Sequence, residues 1–376
     1  MNSVNKSVYF HIPFCNQICH YCDFNKFLLE YQPIDEYLQS LALEVEMSGV
    51  TSAKTIFLGG GTPTALEMRQ LDHLLKMIHE RIQVTDEIEF TIEANPCDLT
   101  EEKLQLLRDY GVNRLSIGVQ TFHDDLLNLI GRNHREADIY HAVWQARQVG
   151  FKNISLDLIF ALPHQTLSMV EHDLQKAIDL SVEHVSVYSL IIEPKTVFYQ
   201  QASRNQLAQP GEVIEAEMYQ LVMQRLAEAG FIQYEISNYG KEGFFSQHNL
   251  TYWNNEEYYG FGTGAHGYLS GIRYENYKVI KKYIQAIQAG KKPILNEHFV
   301  SEREQMEEEM ILGLRKTAGI SQTRFFEKFG LPLMKAFPNV VEKLMNMQLL
   351  GEEGDYIHLT QKGKLVGNEV FERFLG

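Results

Sequence analysis

The stretch HIPFCNQICHYCDFNKF, residues 11–27, sets Cys15, Cys19 and Cys22 in a C-x3-C-x2-C spacing. The 376-residue chain has only four cysteines, and its first ten residues, MNSVNKSVYF, contain no apolar leader. A cytoplasmic, reducing setting is the expectation, and clustered thiols there point to a metal rather than a disulfide. Three thiolates in one loop can hold three irons of a [4Fe–4S] cube and leave the fourth iron open to an exchangeable ligand. A structural zinc site is the rival reading, with His11 or His20 completing a Cys3His set. Cys97 lies 75 residues beyond Cys22 and reads as a free cysteine that neither site needs.

Six apolar runs surround and follow this loop: VYFHIP (8–13), KTIFLGGG (54–61), EFTIEANP (89–96), RLSIGVQTF (114–122), NISLDLIFALP (153–163) and HVSVYSLIIEP (184–194). Their Val, Ile, Phe and Tyr content suits buried parallel strands. Helical stretches separate them. In DLTEEKLQLLRDYG, Thr100 can cap the start, Leu104, Leu107 and Tyr110 share a face, and Gly111 suits the residue after the end. Six strand–helix units in series predict an α/β fold with right-handed crossovers. Polar signatures recur at the strand ends, which favours a partial (β/α)6 TIM-like barrel over a doubly wound sheet. The predicted organisation is a barrel over 1–230, an aromatic- and glycine-rich α+β extension over 231–300, and a small winged-helix-like domain over 301–376.

The formal net charge of −15 repels phosphate backbones, so nucleic acid is not an expected partner. The last 76 residues carry 10 Lys and Arg against 12 Asp and Glu, which suits packing or docking better than DNA reading. No run of about 18 apolar residues occurs, so no membrane span is expected.

YFHIPF (9–14) leading into CNQICHYC, with GGGTPT (59–64) at the next strand end, resembles the radical S-adenosylmethionine (SAM) superfamily. More narrowly, the whole chain resembles the oxygen-independent coproporphyrinogen III oxidase group. The resemblance implies a [4Fe–4S] cluster on Cys15, Cys19 and Cys22, with SAM chelating the open iron. It also implies SAM contacts from Tyr9, Gly60, Glu93, Gln120, Arg132 and Asp157, and contacts to the methionine part from Gly60, Gly61 and Thr62. The residue types fit. Three glycines let a backbone approach a ligand closely. Carboxylates at Glu93 and Asp157 can hold an amine or ribose hydroxyls, and Arg132 can pair with a carboxylate. An ordinary glycine turn, and structural roles in barrel layers, are the alternatives.

Two departures separate this chain from the oxidases. Those resemble C-x3-C-x2-C-x-C, whereas Phe24 stands at the last position here. They also carry a long N-terminal closing segment, while the first strand here is expected about eight residues from Met1. HNLTYW, residues 248–253, instead matches the H-N-x-x-Y-W pattern of the heme chaperone HemW family. That resemblance implies heme as a bound group, with His248 as its ligand, Asn249 orienting the imidazole, and Tyr252 and Trp253 lining the macrocycle. His266, in YYGFGTGAHGY, is the second-choice ligand. A surface histidine beside a packed aromatic pair is the plain alternative. The implied function is a heme chaperone that delivers heme to respiratory hemoproteins, docking peripherally on membrane partners. A radical SAM coproporphyrinogen III dehydrogenase is the enzymatic alternative, and a zinc-dependent scaffold the third.

Overall fold

The computed structural model describes residues 6–85 and 87–376. Six parallel strands lie side by side in chain order: β1 (Ser7–Ile12), β2 (Thr55–Gly60), β3 (Glu89–Ala94), β4 (Arg114–Gln120), β5 (Ile154–Phe160) and β6 (His184–Ser189). One crossover helix serves each strand: α1 (Ile34–Ser48), α2 (Met68–Arg81), α3 (Glu101–Asp109), α4 (Glu136–Gln148), α5 (Leu167–Asp179) and α6 (Glu212–Glu228). The local signals behave as expected in α3, where the Thr100 hydroxyl accepts the Lys103 amide and Gly111 takes φ +77°.

Strand alternation sorts the side chains by polarity. Val8, Phe10 and Ile12, Ile56 and Leu58, Phe90 and Ile92, and Leu115, Ile117 and Val119 are buried in the core shared with the helices. The intervening positions carry Ser7, Tyr9, Thr55, Glu89, Thr91, Glu93, Arg114, Ser116, Ser155, Asp157, His184 and Ser186. A strand with apolar residues at one parity and polar ones at the other must turn the second set away from the helices. The barrel interior is therefore polar, unlike the branched apolar layers that usually fill closed eight-stranded barrels.

The 231–300 segment extends the sheet at both edges rather than one. β7 (Ile232–Gln233) and β8 (Asn238–Gly240) add antiparallel strands beside β6. The chain then returns to the opposite edge. There β9 (Tyr258–Phe261) pairs parallel with β1, followed by β10 (His266–Leu269), β11 (Ile272–Asn276) and β12 (Ile294–Phe299) in antiparallel succession. The result is a twelve-stranded open sheet.

Between the two edges, helix α7 (Gln247–Trp253) lies across the N-terminal ends of the strands. The Glu89 carboxylate accepts the backbone amides of Gln247 at 2.8 Å and His248 at 2.9 Å, and the Ser246 hydroxyl at 3.4 Å. A carboxylate at a helix N-terminus satisfies orphan amides and complements the dipole. Thr251 meets Ser7 at 2.8 Å, and His248 meets Thr55 at 2.7 Å. The helix is a plug that closes the base of the barrel.

Residues after 300 form a smaller unit with its own core of Met310, Phe325, Phe337, Leu350 and Phe371. It holds the helix Glu302–Gly313, opened by a Ser301–Glu304 capping box, further short helices, and a three-stranded antiparallel sheet. Its helices and hairpin match the make-up expected from sequence. The Arg315 guanidinium lies 4.5 Å over the Trp253 ring, and Lys316 donates to Asn254 at 2.7 Å, so the plug also anchors this unit.

Glu89→Ala is expected to lower stability by roughly 1–3 kcal/mol, because two helix amides lose a charged acceptor. Chemical denaturation of Glu89→Ala beside Glu89→Gln checks this, the glutamine variant losing less.

Candidate cofactor site

A cavity of about 480 Å³ opens at the C-terminal ends of the barrel strands. Cys15, Cys19 and Cys22 line it, together with Gly60, Gly61, Thr62, Glu93, Gln120, Arg132 and Asp157. Ten of the eleven residues expected for cluster and SAM therefore share one wall system. The eleventh, Tyr9, sits lower in the barrel, its hydroxyl 3.0 Å from His11 Nδ1 and its ring stacked on Phe57.

Local geometry explains how each residue arrives. The Gly61 amide donates to the Ile12 carbonyl and the Thr62 amide to that of Phe14, both at 2.8 Å, tying the glycine loop to the end of β1. Gly60 has φ +107°, and a Cβ there would sit 2.4 Å from the His11 ring, so no other residue fits. A register shift between Gly118 and Gln120 puts Gln120 at φ +67°. Such a bulge re-aims a side chain, here into the cavity.

Sequence reasoning missed Asn95 and Tyr21. Asn95 donates to the Thr62 hydroxyl at 3.3 Å and accepts from Arg132; Thr62 in turn reaches the Cys15 sulfur at 3.8 Å. The Tyr21 hydroxyl lies 3.4 Å from Arg132. Asn95 was visible as the polar residue ending the third run, but nothing in one sequence marks its partners.

Burial sets the electrostatics. It raises the Glu93 carboxyl to about 8, helped by the nearby Asp157 and opposed by the Gly60 amide it accepts at 3.1 Å. Asp157 is also raised by burial, although Ser116 donates to both its oxygens. The Arg132 Nε is buried with no hydrogen-bond partner. Two proton-hungry carboxyls and an orphaned guanidinium nitrogen fit a ligand carrying both an amine and a carboxylate, as SAM does.

Burial pushes the Cys15 thiol up to about 12 and raises Cys22. Metal loading would therefore release protons from these thiols. Around one tetrahedral zinc, sulfur ligands stand about 3.8 Å apart, from bonds of about 2.3 Å. Among the described residues, His123, His172 and Asp173 bring ligand atoms within 4.8 Å of one another. His11 engages Asn25 O at 2.7 Å as well as Tyr9, and His20 engages Leu129 O at 2.8 Å. Cys97 is exposed and does not line the cavity.

The HNLTYW motif forms most of α7, at the barrel base. His248 is 1% exposed at the barrel base. Its Nδ1 meets Thr55 at 2.7 Å, its Nε2 meets Tyr252 at 2.8 Å, and its ring stacks on Phe57. Burial lowers its pKa to about 3, keeping it neutral. Both ring nitrogens are hydrogen-bonded. Asn249 does not orient it; Thr55 and Tyr252 do. Trp253 faces Arg315 rather than an open groove. His266 is exposed at the opposite, C-terminal end, its Nε2 3.5 Å from Glu275.

A partial barrel with a three-cysteine loop and a glycine turn at its mouth is the architecture of a radical SAM protein. The Radical SAM superfamily model matches residues 9–177, and the HemN C-terminal domain matches residues 300–366. The chain is 52% identical over 376 residues to a Bacillus subtilis protein, covering 99% of each, and 47% identical to one from Lactococcus lactis, covering 98% and 97%. Both relatives are named heme chaperone HemW, and the chain belongs to that family. Among solved structures, Escherichia coli coproporphyrinogen III oxidase (HemN), described as a radical SAM enzyme, superposes with a TM-score of 0.85 at 23% identity, covering 98% of this chain and 90% of that one. That likeness is one of fold.

Between the ordinary glutamate range and about pH 8, folded Glu93 keeps a proton that the unfolded chain has lost. Stability of the cofactor-free protein therefore falls as pH rises through that window. Glu93→Gln is expected to flatten the fall, raising the melting temperature at pH 8 more than at pH 5. Equal shifts at both pH values would remove Glu93 as the cause.

Proposed function

We propose that this protein binds heme and delivers it to respiratory hemoproteins, using a [4Fe–4S] cluster on Cys15, Cys19 and Cys22 and SAM held beside it. The observation that carries this reading is the identity of 52% with a heme chaperone across 99% of both chains. The cavity supports it residue by residue. Cys15 is held by Thr62, which Asn95 and Arg132 brace. Gly60, Gly61 and Thr62 bring backbone to the cluster's open side. Glu93 and Asp157 offer carboxyls to an amine or to ribose hydroxyls, Gln120 adds an amide, and Arg132 takes a carboxylate. When bound, cluster and SAM would supply one-electron reductive chemistry; the chain's own residues orient SAM and shield it from water.

Conversion of coproporphyrinogen is the second reading, favoured only by the shared fold. Phe24, at the position of the oxidases' further cysteine, speaks against it. No helix among the described residues is long and apolar enough to cross a membrane, so delivery to a membrane-bound acceptor would proceed by surface docking.

Anaerobic reconstitution tests the reading. Four irons and four labile sulfides per chain are expected for a [4Fe–4S] cluster, lost together in Cys15→Ala, Cys19→Ala or Cys22→Ala and kept in Cys97→Ala. SAM should perturb the EPR signal of the reduced cluster, and Arg132→Ala should weaken that effect while iron is retained. Heme is expected to bind with no turnover of coproporphyrinogen III. Stoichiometric zinc without sulfide, or robust porphyrinogen decarboxylation, would sink the assignment.

A further inference from the structure

Away from the cavity, the turn after Gln120 and the middle of α5 bring together a second cluster of ligating groups. His123 follows β4 at the start of the short helix Asp124–Leu129, and His172 and Asp173 are neighbours on α5. One ring nitrogen of each histidine and one carboxylate oxygen of Asp173 lie within 4.8 Å of one another. The two imidazole centroids are 4.8 Å apart with the rings tilted by 42°, and His123 Nε2 is 3.7 Å from Asp173 Oδ1. All three residues lie apart from those that line the cofactor cavity.

Asp173 is held as ligating carboxylates are. It is buried, the Phe122 amide donates to Oδ1 at 2.7 Å, and the Thr121 hydroxyl and Gln165 amide donate to Oδ2 at 2.8 and 3.4 Å. An ionised carboxyl offers about four acceptor sites, so three donors leave one for a cation. Donors behind a carboxylate also fix its orientation toward a metal. Burial raises the Asp173 pKa, a shift that a bound cation would reverse. His172 is exposed, so its ring is free to turn toward the other two groups. Lys176, one turn further along α5, pairs with Glu136 at 3.0 Å, which offsets its charge. A plain histidine–carboxylate pair would need only His123; the second imidazole has no part in it. Around tetrahedral zinc, bonds of about 2.0 to 2.1 Å set nitrogen and oxygen ligands about 3.3 Å apart, so the cluster closes by at most about 1.5 Å. We propose that His123, His172 and Asp173 form a metal site separate from the cysteine loop, taking a divalent first-row cation of the zinc class through two imidazoles and one carboxylate, with water in the fourth position. Imidazole with carboxylate suits such an ion, whereas thiolates alone suit iron–sulfur clusters. A cation there ties the turn after Gln120 to α5.

Anaerobic equilibrium dialysis of the tag-free, cluster-loaded chain against zinc chloride tests the site, because the cluster keeps Cys15, Cys19 and Cys22 from competing. Mass spectrometry counts zinc and iron per chain. One zinc per chain is expected, at unchanged iron content. His123→Ala and His172→Ala are each expected to weaken zinc binding about 10-fold or more, since even groups behind the ligands cost that much. His172 is exposed, so its replacement leaves the fold intact. His141→Ala, at an exposed histidine on α4, is the control and should bind as the parent does. The same order is expected in a chain carrying Cys15→Ala, Cys19→Ala and Cys22→Ala together, which removes the thiols whatever metal they hold. No zinc bound by that chain, parent-like affinity in either ligand variant, or an equal loss in His141→Ala would overturn the site.

Discussion

Six strands that carry apolar side chains outward and polar ones inward impose one constraint on everything else. The helices take the apolar side, as in any α/β protein. The polar interior must then find hydrogen-bond partners or water along its whole length, because buried polar groups without partners are costly. At the base the partners come from α7. Glu89, Thr55 and Ser7, all at the start of their strands, bond to Ser246, Gln247, His248 and Thr251. Deeper groups pair with each other: Ser155 with His184, and His184 with Tyr234. At the opposite end no element among the described residues closes the barrel, and the remaining polar groups line a cavity.

That asymmetry gives the two ends different chemistry. Burial raises the pKa values of Glu93 and Asp157 in the cavity wall; at the base, the Glu89 carboxylate accepts from three donors. The brace from Arg132 through Asn95 and Thr62 to Cys15 crosses from the β4 side of the mouth to the β1 side. It couples the place where SAM would sit to the loop that would hold the cluster.

The HNLTYW segment also has a structural part in the fold. Its residues are polar and aromatic, which suits a ligand pocket on paper. In the fold, the same donors and rings fill the base of the barrel and receive Arg315 of the C-terminal unit. Substituting them acts first on closure and on the seating of that unit.

The sequence by itself determined the six strand–helix units, the parallel order, and the residues that meet at the mouth. Cysteine spacing and the glycine turn are local signals that carried the resemblance to the radical SAM superfamily, that resemblance named the site residues, and a barrel gathers every strand's C-terminal end at one place. It also marked the C-terminal unit by its helices and hairpin. Only the tertiary structure decided that residues 231–300 serve both sheet edges, that α7 crosses the base, and that His248 is enclosed there while Phe24 and Ile191 stay in water. Those outcomes depend on which distant strands the returning chain pairs with. That choice is set by edge pairing between residues some two hundred and fifty positions apart, such as Ser7 of β1 with Tyr258 of β9, and such pairings leave no periodic trace in the sequence.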